Sequence, residues 1–209
     1  MPPLISIKTF DLREETPLMA YRLLTSTVVP RPIAFVSTVS GEGVLNLAPF
    51  SFFMVGGANP PSIMVAPTLN GRLEEKDSLR NIRETGELVV NTVHRQMAAG
   101  MNEASASLPA HESEWPRTGF TPIPSVLVKP PRVAESLIQL ECRLFQVVNH
   151  GEGPISARYV LAEVVLMHVH ESQWDGEKIR PVELISRLGG ADYLDLADGS
   201  HFEMERPSA

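Results

Sequence analysis

Lys76, Asp77 and Ser78 are the residues whose types and spacing most directly suggest ligand chemistry. They come immediately before Leu79 and Ile82, whose spacing predicts a short helix. The first amides of a helix point outward and its dipole favours anions, and here a cation and a hydroxyl are added. These residues predict a phosphate-binding site. The simpler alternative is that Asp77 caps the helix while Lys76 and Ser78 are solvated.

Asn46 and Ser51 flank Pro49 in a segment that otherwise has the composition of a strand. Proline cannot donate a ladder hydrogen bond, so Pro49 belongs at a sheet edge or a bulge and leaves neighbouring backbone groups free. Two polar side chains beside such a distortion can bind the polar edge of a planar heterocycle whose faces need apolar cover. A β-bulge without a ligand explains the same residues equally well.

Arg31 lies between Pro30 and Pro32, just before an apolar segment that ends in Ser37 and Thr38. The two prolines stiffen the approach to a predicted strand, and the hydroxyls and the lone cation are candidate binding groups. Taken alone, a strand with a polar end and a solvated arginine is the simpler interpretation, because an exposed arginine needs no ligand.

The sequence predicts more strands than helices, and these elements must position the candidate residues. Apolar, β-branched segments predict strands over residues 33–39, 44–53, 62–66, 87–93, 137–148 and 158–170. A helix is expected after Asp77 and another over 94–106, the Pro-rich connection 109–131 is expected to be ordered, and the tail from Asp198 is expected to fray. Strands at this spacing, without alternating βαβ units, favour an antiparallel barrel in one domain over residues 1–209.

Composition limits the partners and the compartment. A net charge of -7 provides no basic field, so nucleic acid is not an expected partner. No apolar run approaches membrane-spanning length and the first residues lack the pattern of a secretory signal, so we expect no membrane association and a cytoplasmic location. The single cysteine, Cys142, excludes an internal disulfide and is expected to be a buried packing residue.

The common catalytic signatures are missing from the sequence. It contains no nucleophile elbow, no Gly-rich loop ending in a Lys-Ser/Thr pair, and no helical His pair around Glu. His168 and His170 alternate on one predicted strand that also carries Glu163, but this spacing is common in strands and the sequence places no further ligand. We therefore expect no metal site.

Several segments, in order, resemble the flavin reductase-like, FMN-binding split-barrel family. They are 30–38 (PRPIAFVST), 46–53 (NLAPFSFF), 59–61 (NPP), 76–82 (KDSLRNI) and 87–91 (ELVVN), and 187–193 (RLGGADY) resembles the family's C-terminal signature. The resemblance extends from about residue 20 to residue 193. Such a series is hard to obtain by chance, and it is more specific for fold and flavin than for reaction.

The resemblance implies a mainly β, antiparallel Greek-key split barrel with a few helices, which forms a homodimer and holds FMN in a groove at or near the subunit interface. By the same resemblance, the flavin ring and ribityl chain would be lined by Ser37, Thr38, Asn46, Ala48 and Ser51. Lys76 and Ser78 would meet the phosphate, with Arg31 and Arg187 as further candidates. Ser78 stands where members more often have threonine, and the hydroxyl is kept.

The activity implied is that of an NAD(P)H-dependent flavin reductase. A reduced nicotinamide nucleotide gives hydride to the flavin, which passes electrons to free flavin, oxygen, an oxygenase partner or a small organic acceptor. The cofactor carries this chemistry, which agrees with the lack of an acid/base constellation. No nicotinamide-binding fingerprint is visible. A flavin-binding or electron-transfer protein without turnover, and a similar barrel holding pyridoxal phosphate or haem, are the alternatives.

Overall fold

The computed structural model describes residues 6–109 and 111–207. Its helices are α1 (Pro17–Thr27), α2 (Asp77–Thr85), α3 (Ala98–Glu103) and α4 (Trp115–Thr118). Its strands are β1 (Arg31–Pro32), β2 (Ala34–Val39), β3 (Leu45–Phe50), β4 (Phe53–Ala58), β5 (Pro61–Val65), β6 (Glu87–Asn91), β7 (Pro122–Ile123), β8 (Arg132–Val133), β9 (Ile138–His150), β10 (Ala157–Val169), β11 (Ile185–Arg187), β12 (Asp192–Asp195) and β13 (His201–Glu203). The prediction of a mainly β protein is confirmed.

A seven-stranded sheet forms the centre of the fold. Its strands lie in the order β3-β2-β6-β9-β10-β5-β4, and each neighbouring pair is antiparallel. The two edge strands, β3 and β4, are separated along the chain by only Ser51 and Phe52. Because two residues cannot span a flat sheet of seven strands, the sheet curls until its edges meet. The result is a barrel that is split between β3 and β4.

The segment 44–53, predicted as one strand, is thus divided in the structure. β3 ends at Phe50 and β4 begins at Phe53. Pro49 lies on an edge strand, as expected for a residue without an amide proton. The position of the break could not be derived from local propensity, because both strands are rich in apolar residues.

Two hydrophobic cores lie on opposite faces of β2, which is buried along its whole length. Val36 belongs to the first core, together with Leu79 and Ile82 of α2. Phe35 points to the other face and belongs to the second core, which includes Met97. Burial of Leu79 and Ile82 fixes the position of α2, and so determines where the start of that helix lies relative to the split.

The C-terminal segment forms part of a second antiparallel sheet, with the order β1-β11-β12-β13. β13 pairs with β12, and the rings of Tyr193 and Phe202 stack with centroids 5.4 Å apart. Phe202 and Met204 also pack against the second core. The expectation that the tail from Asp198 frays is therefore wrong for residues 198–207, because a three-residue strand with two apolar anchors gives too weak a sequence signal.

Two other expectations about helices need correction. The helix predicted over 94–106 is a 3-10 turn at Arg95–Met97 followed by α3, because the backbone of His94 pairs with Leu184 instead of joining a helix. Helix α1 was not predicted. It begins after Thr16, whose hydroxyl accepts a hydrogen bond from the Met19 amide at 3.2 Å.

Glu141 ties the Pro-rich connection to the barrel, which explains why that connection is ordered. The side chain is fully buried on β9, and its carboxylate accepts hydrogen bonds from the amides of Val126 at 2.8 Å and Leu127 at 2.6 Å. His168 Nε2 lies 2.7 Å from the same carboxylate. His168 is thus engaged by a carboxylate on the neighbouring strand, and the described residues contain no group of three or more metal-ligating side chains.

Cys142 is buried, as predicted, and burial raises the pKa of its thiol to about 12. Within the described residues, no helix has the length and apolar character needed to cross a membrane.

The Glu141 interactions predict a specific acid dependence of stability. Burial raises the pKa of this carboxyl, but the amides of Val126 and Leu127 and the imidazole of His168 outweigh that effect, so the pKa lies below its ordinary value of 4.5. The ionised carboxylate therefore stabilises the fold above pH 4.5, and this contribution is lost as the pH falls through the lower folded pKa. Glu141→Gln should lower the free energy of unfolding at pH 7 by about 1–3 kcal/mol.

The difference between wild type and Glu141→Gln should shrink as the pH is lowered from 7 to values below 4.5, measured by urea denaturation at each pH. Glu152→Gln, in the exposed turn between β9 and β10, is the matched control. A difference that stays constant over this range would contradict the assigned role of the carboxylate.

Candidate functional site

A groove of about 1370 Å³ opens where the barrel is split. We call it the barrel groove. It is lined by residues 48–52, 70–72, 74–78 and 104–109 and by Tyr21, Asn46, Ala66, Thr68, Arg80, Glu114 and Arg206. Of the nine predicted site residues, it brings together Asn46, Ala48, Ser51, Lys76 and Ser78.

The start of α2 lies at one end of the barrel groove without a side-chain cap. Lys76, not Asp77, occupies the N-cap position, and it makes no capping hydrogen bond. The prediction that Asp77 caps the helix is wrong by one residue, because its carboxylate accepts instead from Arg80 Nη2 at 2.6 Å. The Leu79 amide donates to the Lys76 carbonyl at 2.9 Å, whereas the amides of Asp77 and Ser78 have no backbone acceptor within the helix and are left for another acceptor.

Ser78 is held in place by Asn46. Asn46 Nδ2 donates to Ser78 Oγ at 2.8 Å, and both residues are buried. A hydroxyl can accept and donate at once, so Ser78 keeps its own proton for an acceptor in the groove. Asn46, which the resemblance assigns to the ring and ribityl chain, is thus coupled to the helix start that would meet the phosphate.

Lys76 gives this end of the barrel groove a positive charge. Burial lowers the pKa of its ammonium, the nearby guanidinium of Arg206 lowers it further, and Asp77 partly opposes both effects. Within the described part of the chain, no carboxylate lies within 4 Å of its Nζ atom. Two cations therefore share a half-enclosed space.

Another part of the groove wall is formed by residues 48–52, which we call the β3–β4 junction. It combines the apolar side chains of Ala48, Pro49, Phe50 and Phe52 with the Ser51 hydroxyl. The ring of Tyr21 on α1 lies 6.0 Å from that of Phe52 and extends this wall. Such a wall, apolar with one polar group, is suited to the face and edge of a planar heterocycle.

Arg31 is a buried structural residue that reaches the barrel groove only through Ser51. Its guanidinium donates to the carbonyl oxygens of Thr25, of Val28 at 2.9 Å and of Leu188 at 2.7 Å. Its Nε atom lies 3.5 Å from Ser51 Oγ. Arg31 therefore fastens the end of α1 to the C-terminal part of the chain and orients a hydroxyl of the groove wall.

Three other predicted site residues lie outside the barrel groove. Ser37 is fully buried and donates to a backbone carbonyl of the Pro-rich connection. Thr38, also fully buried, accepts from Asn81 Nδ2 at 3.1 Å. Arg187 places its guanidinium over the Tyr193 ring, 4.3 Å from the ring centroid. These three side chains are not among those that line the groove.

The barrel groove also contains residues that sequence reasoning missed. Glu114 is buried and accepts from the Leu47 amide at 3.0 Å; burial raises the pKa of its carboxyl, the Leu47 amide opposes this, and Asp77 adds to it. Ser105 has a buried hydroxyl oxygen without a hydrogen-bond partner. Arg206 comes from the tail that was expected to fray. None of these residues belongs to a recognisable local pattern, so no signal in the sequence could have found them.

A family model, described as the flavin reductase like domain, matches residues 25–182. The chain belongs to this family, as the ordered motifs predicted.

Solved structures agree with this assignment. Nitrilotriacetate monooxygenase component B from Bacillus cereus is 37% identical, with a TM-score of 0.87 over 96% of this chain and 100% of that one. The 2-nitrobenzoate 2-nitroreductase of Pseudomonas fluorescens is 30% identical, with a TM-score of 0.81 over 95% and 96% of the two chains. A protein with a split barrel domain from Shewanella frigidimarina is 20% identical, with a TM-score of 0.74 over 88% and 91%. The split-barrel fold is confirmed.

The contacts of Arg31 predict that it is required for stability. Arg31→Met keeps the apolar stem but leaves buried carbonyl oxygens without donors, which should lower the free energy of unfolding by about 1–3 kcal/mol in chemical denaturation. Arg117→Met, at an exposed position of α4, provides the control and should change stability by less than about 0.5 kcal/mol. Equal effects of the two substitutions would show that the buried hydrogen bonds are unimportant.

Proposed function

We propose that this protein binds FMN in the barrel groove and oxidises NADH or NADPH, passing the electrons to a separate acceptor. Membership of the flavin reductase-like family supports flavin binding and an oxidoreductase activity. The observation that carries the proposal for FMN is the barrel groove itself. It is lined both by an uncapped helix start with a lysine and a serine and by a largely apolar wall.

The residues present fit FMN chemically. A phosphate monoester carries almost two negative charges and three acceptor oxygens. The helix amides, Lys76 and the Ser78 hydroxyl are donors of the matching kind. The partnerless hydroxyl of Ser105 supplies a further polar group for a ribityl chain, and the β3–β4 junction covers an apolar ring.

Each part of the barrel groove has a separate task in this proposal. Lys76, Ser78 and the start of α2 bind the phosphate, while Asn46 holds Ser78 in position. Ala48 and Ser51 contact the ring, and Arg31 orients Ser51. Ser37, Thr38 and Arg187 act as supporting residues. FMN, when bound, supplies the hydride acceptor and the electron carrier, so the protein needs to bind, orient and leave one face open.

The size of the barrel groove favours a second ligand. Small-molecule sites usually have volumes of about 300–1000 Å³, and this groove exceeds that range at about 1370 Å³. A nicotinamide can thus stack on the open face of the flavin. The names of the two related structures indicate the kinds of acceptor to test, since one is a monooxygenase component and the other a nitroreductase. We propose either an oxygenase partner or a small organic acceptor.

An apolar surface beside the barrel groove supports a homodimer. Leu18, Leu24 and Val28 on or just after α1 are exposed, as are Met54 and Val55 on β4. Large apolar side chains that are exposed in a single chain are often covered in an assembly. We propose that a second copy of the chain covers this surface and borders the groove, in a two-fold arrangement.

The dimer proposal predicts a mass twice that of the 23.0 kDa chain by light scattering at micromolar concentration with FMN bound. Replacement of both Met54 and Val55 by glutamate should shift the mass toward that of the monomer, because two charges would be buried in the interface. A wild-type monomer under these conditions would contradict the proposal.

Cofactor identity gives the second prediction. The protein should purify with FMN and not FAD, as shown by the mass of the extracted cofactor. Lys76→Ala should weaken FMN binding by about 1–3 kcal/mol through loss of a charge-assisted hydrogen bond, measured by flavin fluorescence. Lys178→Ala, in an exposed turn far along the sequence, controls for the change in net charge. Unchanged FMN affinity in Lys76→Ala would remove this residue from the site.

The activity is tested by anaerobic stopped-flow mixing of the FMN-loaded protein with NADH or NADPH. One nucleotide should bleach the oxidised-flavin absorbance much faster than it bleaches free FMN, because the groove holds the two rings in contact. If neither nucleotide does so, the reductase assignment fails and the chain is an FMN-binding or electron-transfer protein. A visible spectrum of pyridoxal phosphate or haem in the purified protein would reject the flavin assignment itself.

A further inference from the structure

The C-terminal residues 201–206 are fastened to the body of the protein by a continuous series of contacts. β13 pairs with β12, and the Met204 amide donates to the Ala191 carbonyl at 3.1 Å. Asn102 Nδ2 on α3 donates to the Glu205 carbonyl at 2.7 Å. The guanidinium of Arg95 lies 3.8 Å from the centroid of the Phe202 ring. The path of the chain up to residue 205 is thereby fixed.

These contacts place Arg206 in the barrel groove, close to Lys76. Both residues line the groove, and the guanidinium lies near enough to affect the ammonium. Within residues 6–109 and 111–207, neither cation has a carboxylate within 4 Å. Like charges placed together repel each other, the half-buried position of Lys76 strengthens that repulsion, and Asp77 offsets it only in part.

The other arginines at this groove do not share the arrangement. Arg80 forms an ion pair with Asp77 at 2.6 Å, so its charge is balanced within α2. Arg72 lies on the exposed loop that borders the groove. Arg206 is therefore the guanidinium that best complements Lys76, since both line the groove and Arg206 lies near enough to lower the pKa of the ammonium.

We propose that Arg206 is a specificity-determining residue that contacts the terminal phosphate of the flavin from the side opposite α2. This inference rests on the proposed binding of FMN. With Lys76 it neutralises the two charges of the phosphate, and a guanidinium can bind two phosphate oxygens at once. The C-terminal segment thus selects a phosphorylated flavin over riboflavin, which has the same ring and ribityl chain but no phosphate.

The test compares the dissociation constants of FMN and riboflavin, measured by flavin fluorescence, for wild type, Arg206→Ala, Arg206→Lys, Lys76→Ala and the control Lys178→Ala. Arg206→Ala should weaken FMN binding about tenfold and change riboflavin binding less than twofold. Arg206→Lys should recover part of the loss, because it keeps the charge without the planar fork. Added salt should reduce the preference of wild type for FMN more than that of Arg206→Ala.

The outcomes separate this inference from the proposed function. If Lys76→Ala loses FMN selectively but Arg206→Ala does not, the phosphate site stands and the role of Arg206 is overturned. If Arg206→Ala weakens the binding of FMN and of riboflavin equally, Arg206 has only a structural role, and the proposal is also overturned. Wild type that binds FMN no tighter than riboflavin would overturn the phosphate site altogether, and with it both proposals.

Discussion

The connection between β3 and β4 determines the shape of this protein. Because only Ser51 and Phe52 join two strands at opposite edges of a seven-stranded sheet, the sheet must curl. β3 and β4 do not pair with each other, so the barrel stays open along one seam. A closed barrel would fill its interior with side chains, whereas this one retains an accessible groove at the seam. The groove is thus linked to a short connection between two edge strands.

The packing of α2 converts that opening into a charged site. Leu79 and Ile82 are buried in the first core, which turns the start of the helix toward the seam. The Asp77 carboxylate forms an ion pair with Arg80 on the helix surface. It therefore does not cap the amides at the start of the helix. Burial of two apolar residues and one local ion pair together leave backbone donors free at the groove. Residues 76–82 therefore contain both the apolar pair that positions the helix and the ion pair that leaves its start uncapped.

The sequence predicted the strands and the helix that carry the site, because they have strong apolar periodicity or clear breakers such as Gly86. Ordered motifs also identified the family and five of the residues that line the groove. Residues that lie outside any recognisable local pattern were missed. Glu114 and Arg206 reach the groove through contacts between segments distant in sequence, and Arg31 resembled a solvated cation because its backbone acceptors lie in other segments. Such contacts depend on the tertiary structure and produce no periodic pattern in the sequence.

The buried thiol of Cys142 bears on how the protein would tolerate the proposed flavin chemistry, if oxygen were the acceptor. Electron transfer from a reduced flavin to oxygen generates peroxide, and peroxide attacks thiolates, not thiols. The only cysteine of this chain is fully buried, and burial raises its pKa to about 12, so almost none of it is ionised at neutral pH. A cysteine introduced on the surface would therefore be the sole reactive thiol, and a spectroscopic label could be attached there without removing Cys142 from the barrel core.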